Sequence, residues 1–348
     1  MNVFTNQVEQ WYDQHRRDLP WRHTSDPYYI WVSEIILQQT RVEQGSGYYH
    51  RFVQRFPDIQ SLASATEDEV LTYWQGLGYY SRARNMHAAA RSMNGTFPTS
   101  YEGVRALRGV GDYTAAAICS FAYGMPLAVV DGNVYRVLSR YFGIDTPIDT
   151  NDGVKVFKAL AYEMLDKQQP ALYNQAIMDF GALQCAPGKG HCDDCPWTET
   201  CEARRTARVE LLPVKLHKVK QKERYFNYFF IVQGADTYIN KRTKKDIWKN
   251  LYELPLIESD QTWSLDEVVA SEQLTRLLSP VSELHLTMVQ SGVKHVLTHR
   301  IINATFFRID LPMDVEPTGL NQFIKVNRKS LSNYAFPNLV LRFLQKYI

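Results

Sequence analysis

Long hydrophobic runs are missing from this sequence. No apolar stretch reaches the roughly 18 residues that a membrane-crossing helix needs. The opening segment, MNVFTNQVEQWYDQHRRDLPW, has no signal-peptide core and carries acidic residues early, which argues against a transit peptide. A cytoplasmic protein with no membrane attachment is therefore expected. Net charge is also nearly absent: 39 Lys and Arg stand against 37 Asp and Glu, a formal balance of +2. Total charge thus says little about partners, but its distribution says more. Between Glu202 and Arg224, eight basic residues face three acidic ones. Cysteine is scarce, with five in 348 residues, and four of the five fall between Cys185 and Cys201. In a reducing compartment disulfides are disfavoured, and clustered thiols more often bind metal.

The length suggests two domains. Residues 1–204 read as helical. Segments such as IWVSEIILQQTRVEQ (residues 30–44), DEVLTYWQ, SRARNMHAAARSM and NDGVKVFKALAYEML place apolar residues three and four apart. Punctuators such as FPDI, GLGYY, TFPTS and DGN recur often, so many short helices are expected rather than a long bundle. Residues 205–224 are basic and contain Pro213, which reads as a linker. From residue 225 to 348 the character is α+β: YFNYFFIVQ, DTYINKR and LTHRIINATFFRID read as strands, with SLDEVVASEQLTRLL as a helix between them. Internal repeats and low-complexity tracts are lacking.

The four clustered cysteines, Cys185, Cys192, Cys195 and Cys201, are separated by six, two and five residues. Only Cys192 and Cys195 form the close pair typical of structural zinc sites. One compact loop supplying all four ligands suits a 4Fe–4S cluster better, though zinc stays open on spacing alone. Cys119, within the apolar AAAICSFAY, reads as a small core residue.

Three further features carry chemistry. Gly109-Val110-Gly111 joins two helical segments, and its glycines permit a tight turn and close backbone approach. The N–H groups opening the next helix then make an anion site suited to phosphate. Glu34 has Ile30 and Leu37 on its own helical face, and burial of a carboxyl raises its pKa. That makes either a general acid or a buried Glu satisfied by backbone. Asp131 precedes a helix and reads as an N-cap or as a catalytic carboxylate.

The cysteine spacing is also that of the endonuclease III superfamily of DNA glycosylases. LRGVGDYTA (107–115) resembles its helix–hairpin–helix turn, and VVDGNVYRVLSRYFG (129–143) its catalytic Asp segment. DLPWR (18–22) and WVSEIILQQTRV (31–42) are similar to MutY-type adenine DNA glycosylases, and the C-terminal part resembles that family's Nudix-like domain more loosely. The resemblance implies a multidomain chain. An all-α helix–hairpin–helix glycosylase domain with an iron–sulfur cluster loop (185–201) would be followed by an α+β Nudix-like domain. It further implies a monomer acting on double-stranded DNA with A·8-oxoguanine or A·G mispairs, associated with the nucleoid. Adenine would be removed without strand cleavage.

Residue by residue, the resemblance makes Glu34 the acid that protonates adenine at N7. Asp131 becomes the stabiliser of positive charge at the sugar or its covalent trap, and Asn133 the residue that orients Asp131 or the water. Tyr113 stands where bifunctional members carry a lysine, and a phenol forms no Schiff base. Arg17, Trp21, Arg22, Leu37 and Gln175 are implied around the extruded adenine. Gln39, Thr40, Leu77 and Tyr79 are implied at the opposite base. Leu297-Thr298-His299 stands where relatives carry Phe-Ser-His for 8-oxoguanine, so the hydroxyl is kept and the aromatic is not. KRTKKDIWKNLYELPL resembles the start of a Nudix domain, but the Arg-Glu-x-x-Glu-Glu signature is missing. Neither a Mg²⁺ site nor pyrophosphate hydrolysis is expected. The rival classes are a bifunctional glycosylase for oxidised pyrimidines and a non-enzymatic iron–sulfur DNA-binding protein.

Overall fold

Asn2 starts the first helix, α1 (Val3–His15): its side chain accepts from the Phe4 N–H at 3.1 Å. Phe4, Val8, Trp11 and Tyr12 then recur at helical spacing on the buried face. Helix α2 (Pro27–Leu37) opens with the Asp26 carboxylate accepting from Tyr28 N–H at 2.8 Å. Pro27 sits in its first turn, where a missing N–H leaves no bond unmade. The computed structural model of the protein describes residues 2–217, 220–281 and 285–347. Lys218 and Val219 of the expected linker, Met1 of the expected first domain, and residues 282–284 and Ile348 of the expected second lie outside the described residues.

Short helices follow, as the punctuated pattern predicts: α3 (Val42–Arg55), α4 (Ile59–Ser64), α5 (Glu67–Trp74), α6 (Ser81–Ser92), α7 (Tyr101–Ala106), α8 (Asp112–Tyr123), α9 (Gly132–Phe142), α10 (Asn151–Met164), α11 (Pro170–Asp179) and α12 (Glu202–Arg205). The stretch 30–44, read from its periodicity as one helical segment, is broken. α2 ends at Leu37, Gln39 takes the left-handed conformation at φ 57°, and Thr40 N–H closes a turn onto the Leu37 carbonyl at 3.1 Å. Periodicity misses this because polar residues at 38–41 fit a solvated helix face as well as a turn.

By packing, the chain divides into two units, Met1–Ala65 with Arg84–Lys218 and Thr66–Ala83 with Val219–Ile348. The core of the first gathers Phe4, Trp11, Val134, Leu138, Phe157, Ile177, Phe180 and Trp197, with Cys185, Cys195 and Cys201 packed against it. Cys119 is fully buried on α8, a small core residue. The stretch from 205 onwards is not free chain. Arg140 donates to the Leu212 carbonyl at 3.1 Å, Ile148 N–H to Val214 at 3.0 Å, and Asp149 accepts from the Leu216 and His217 N–H groups.

In the second unit β1 (Lys222–Gln233) runs parallel to β6 (Arg300–Asp310) at the centre of a mixed sheet. The strands β2 (Asp236–Lys241), β3 (Tyr252–Glu253), β4 (Leu256–Ser259), β5 (His285–Val296) and β7 (Ile324–Asn327) complete it, in the order β3-β2-β1-β6-β5 with β4 on β1 and β7 on β2. Both faces of β1 are covered, which explains its unbroken apolar run. Phe226, Tyr228 and Phe230 pack with α15 (Asn338–Leu344). Phe229 and Ile231 pack towards α14 (Glu272–Leu278). The single helix expected between the strands is two, α13 (Leu265–Val269) and α14, each with its own serine cap, Ser264 and Ser271. Residues 66–83, expected within the helical domain, pack here. Asp68 accepts from Lys241 and from the Tyr252 hydroxyl at 2.9 Å, and Tyr80 donates to the Phe336 carbonyl at 3.2 Å.

Candidate active site

Helices α2, α8, α9 and α11 and the turn Pro20–Arg22 border one cavity of about 790 Å³ in the first unit. Eleven residues singled out from the sequence line it: Arg17, Trp21, Arg22, Glu34, Leu37, Gln39, Thr40, Tyr113, Asp131, Asn133 and Gln175. That volume lies within the usual range for small-ligand sites.

Glu34, on α2, lines this cavity. Burial and the neighbouring Asp131 charge push its carboxyl up to about 7, against the Tyr113 hydroxyl and Arg22 guanidinium, which favour the charged form. Asp131 has different surroundings. As the N-cap of α9 its Oδ1 accepts from Asn133 N–H at 2.9 Å and Val134 N–H at 2.8 Å, and its Oδ2 from the Asn133 amide at 2.8 Å. Burial lifts its pKa above the ordinary value, and these three donors together with Arg136 offset part of that rise. Of the pair, Asp131 is the one equipped to carry charge, and Glu34 the one equipped to keep a proton near neutrality. The N-cap and catalytic interpretations of Asp131 are compatible, since capping is what fixes its carboxylate.

Tyr113, on the first turn of α8, lies with its hydroxyl 3.4 Å from the Met178 sulfur, a weak acceptor, and faces Glu34. Burial and the Glu34 and Asp131 charges push the phenol far above its ordinary value, so it stays neutral. Trp21 is nearly buried, edge-on to Tyr49 at 5.2 Å. The Gln175 side-chain oxygen accepts from the Tyr12 hydroxyl at 2.9 Å, and the residue lines the cavity.

Two groups were not legible in the sequence. Asp179 is fully buried beneath Arg17 and Arg22 and pairs with both. Its signal was its place four residues after Gln175, on the same face of α11. Arg136 donates to the Asn133 side-chain Oδ1 at 2.8 Å and to the Cys185 backbone carbonyl at 2.7 Å.

Gly109-Val110-Gly111 lies outside the cavity, between α7 and α8. Gly109 has φ 84°, and a Cβ there would stand 2.7 Å from Asn85 Cβ, so glycine is required. Gly111 is the N-cap of α8 and leaves its first turn without a side-chain cap. Leu77, Tyr79, Leu297, Thr298 and His299 belong to the second unit. Leu77 is buried there, whereas Tyr79 is half-exposed at φ 47°. Leu297–His299 form the tip between β5 and β6: Leu297 N–H bonds the Arg300 carbonyl at 2.8 Å, and Thr298 and His299 are exposed. The long strand β5 went unread because its polar residues mask the alternation.

All four clustered cysteines line one small cavity, with Arg140 and Trp197 in its wall. Trp197 N–H points at Cys195 Sγ at 3.4 Å, and Arg140 at Cys185 Sγ at 3.5 Å. Among the described residues no three metal-binding side chains converge as a single ion requires. Four thiols around one space are a donor set that fits an iron–sulfur cluster or a soft metal ion.

Residues 32–159 match the family of HhH-GPD superfamily base excision DNA repair proteins, and residues 227–346 match the NUDIX domain. An adenine DNA glycosylase of Buchnera aphidicola subsp. Baizongia pistaciae is 36% identical over 265 residues, 73% of each chain. That of Buchnera aphidicola subsp. Acyrthosiphon pisum is 30% identical over 335 residues, 94% of this chain and 91% of the relative. Among solved structures, a thermostable thymine-DNA glycosylase superposes with a TM-score of 0.55 at 31% identity, covering 59% of this chain and 96% of that one.

Proposed function

Since the chain belongs to the adenine DNA glycosylase family, we propose that it hydrolyses the N-glycosidic bond of adenine paired with 8-oxoguanine or guanine, leaving the strand uncut. It is a DNA glycosylase of the base excision repair superfamily, with a helical glycosylase fold and a Nudix-like α+β domain. One observation carries the chemistry: Glu34 and Asp131 border a common cavity, where Asp131 accepts three hydrogen bonds and burial pushes the Glu34 carboxyl up to about 7.

The target base must leave the duplex stack before reaction. In the cavity Trp21 and Leu37 supply apolar walls, and Arg17, Arg22 and Gln175 supply donors. Glu34 donates its proton to adenine N7 and so improves a poor leaving group. Asp131 stays anionic and stabilises the positive charge that develops at C1′. Water completes the hydrolysis with Glu34, now ionised, as base. This is the acid-plus-carboxylate logic of glycoside hydrolysis. Asn133 holds Asp131 in place, and the neutral Tyr113 packs against the sugar, unable to act as an amine nucleophile.

Phosphate contacts fall to the Gly109–Gly111 hairpin and the N–H groups of α8. Gln39, Thr40, Leu77 and Tyr79 act on the opposite strand, and Leu297, Thr298 and His299 read 8-oxoguanine. Cys185, Cys192, Cys195 and Cys201 hold one 4Fe–4S cluster. When bound, it supplies a cross-link and local charge beside Arg204, Arg205 and Arg208, not chemistry on the base. The protein acts as a monomer on DNA in the cytoplasm, with catalysis in 1–65 and 84–204, a connecting segment from 205 to the start of β1, and recognition in 66–83 together with 222–348. Among the described residues no helix is long and apolar enough to cross a membrane.

The test is single-turnover incubation with an A·8-oxoguanine duplex, followed by alkali, alongside borohydride trapping. Released adenine, strand scission only after alkali and no trapped adduct are expected. A borohydride-trapped covalent adduct would establish a bifunctional enzyme instead.

A further inference from the structure

Arg17 and Arg22 pose an electrostatic problem. Two guanidiniums stand together in the wall of the cavity, and Arg22 donates to the Arg17 carbonyl at 3.1 Å as well. Like charges so close, partly out of water, repel strongly unless a counter-charge lies between them. Asp179, the last residue of α11, is that counter-charge, and its side chain has no exposed surface. Arg22 grips it bidentately, with Nη1 to Oδ2 and Nη2 to Oδ1 both at 2.7 Å. Arg17 donates to Oδ1 from Nε at 3.0 Å and again from Nη2, and its backbone N–H reaches Oδ2 at 3.3 Å. Burial works against the Asp179 charge, but the two guanidiniums overcome it and hold the carboxyl below its usual range.

We propose that Asp179 is a positioning residue for adenine excision: it fixes Arg17 and Arg22 as the wall of the base pocket and offsets the charge that Arg22 would otherwise present to Glu34. The inference rests on the acid role given to Glu34 above. It goes beyond that role by assigning the control of Glu34 to a carboxylate that does not touch the base.

The charged and titratable groups facing Glu34 can be named element by element. Arg22 comes from the turn Pro20–Arg22, Tyr113 from α8, and Asp131 from the cap of α9. Of these, only Arg22 is a cation, and a nearby cation favours the ionised carboxylate. Behind the Arg22 guanidinium, Asp179 and the Arg17 carbonyl are its hydrogen-bond partners among the described residues. Removing the Asp179 charge leaves both cations uncompensated, and the acid form of Glu34 is then lost at lower pH. A bidentate carboxylate also fixes the plane of the Arg22 guanidinium, which an amide cannot grip in the same way.

The experiment measures single-turnover adenine release by the full chain from pH 5.5 to 9. Asp179→Asn moves the alkaline limb of the profile down by about one pH unit, the low end of what a nearby cation does. Above the limb the rate falls about tenfold relative to the parent chain. Arg22→Gln moves the limb the other way, and this variant tests the inference even if Asp179→Asn does not fold. Asp179→Glu, which keeps the charge, restores the parent limb at a reduced rate. An Asp179→Asn profile with the parent limb, merely scaled down at every pH, overturns the inference. So does an Arg22→Gln limb that stays in place. Glu34→Gln active at the parent rate would instead overturn the role of Glu34 itself, so the two failures are distinct.

Discussion

The hydroxyl of Tyr79 lies 3.1 Å from the hydroxyl of Thr298, a hydrogen bond across 219 residues of sequence. One partner comes from GLGYYSR and the other from the β5–β6 tip, two segments assigned separately to the opposite base. Tyr79 is held at φ 47° and half-exposed, a backbone conformation that ordinary residues seldom adopt without a role. On the proposed function, this bond ties the two hydroxyls into one recognition element.

Thr298→Ala and Tyr79→Phe should each reduce the preference for A·8-oxoguanine over A·G. An exposed hydroxyl pair is worth about 0.5–1 kcal/mol, or roughly two- to fivefold. Because the partners touch, the double variant should lose less than the product of the single losses. The measurement is a double-mutant cycle on single-turnover rates with both duplexes. Multiplicative losses would mean that the two hydroxyls act independently.

Asp131→Asn should abolish excision yet leave duplex affinity nearly unchanged, because shape and most hydrogen bonds remain. Glu34→Gln should lower the rate about 10²–10⁴-fold, the usual worth of general acid catalysis. Binding by gel shift, beside single-turnover chemistry, separates the two effects. Loss of affinity equal to the loss of rate would assign these carboxylates to binding.

The raised Glu34 pKa has a cost in stability. Its carboxyl titrates near 7 in the folded protein, up from 4.5. The fold therefore binds more protons than the unfolded chain between these values, and stability falls as pH rises through that window. Glu34→Gln removes the penalty. It should raise Tm at pH 8 by a few degrees, corresponding to about 1–3 kcal/mol, and change it little at pH 4.5. Equal Tm shifts at both pH values would show that packing, not charge, is responsible.

Cys192→Ser should strip the protein of its cluster. The parent chain should be brown, with iron and sulfide near four each, and the variant colourless. Stoichiometric zinc without sulfide in anaerobically purified protein would replace the cluster with an ion.

What the sequence makes legible is what local chemistry controls. Apolar spacing announces a helix at Ile30–Leu37, and the glycines of the hairpin announce the turn before α8, because each acts within a few residues. Glu34 is visible for the same reason: its apolar neighbours at i−4 and i+3 share its face. Asp179 is not, since its meaning comes from Arg17 and Arg22, more than 150 residues away in sequence. The packing of 66–83 with the C-terminal segment is equally silent. It rests on side-chain bonds from Asp68, Gln75 and Tyr80 to partners beyond residue 240.

That packing changes what a truncation can show. Gln75 accepts from Phe336 N–H at 3.0 Å, and Asn338 donates to the Gly76 carbonyl at 2.9 Å. Asp68 meanwhile receives Lys241 and Tyr252. Deleting residues 225–348 therefore removes not only Thr298 and His299 but also the support of Leu77 and Tyr79. The truncated chain should lose discrimination between A·8-oxoguanine and A·G, and its rate on A·G should fall too. A full-length Thr298→Ala, His299→Ala variant keeps that support and should lose discrimination with its A·G rate intact. Asp68→Asn separates the contributions further: it weakens the hold on 66–83 while leaving every recognition side chain in place. It should lower the rate on both duplexes about equally. The check is the pair of single-turnover rates for the three proteins side by side, with cluster absorbance confirming that each is folded. A truncation that cleaves A·G at the full-chain rate would show that 66–83 needs no support from the C-terminal segment.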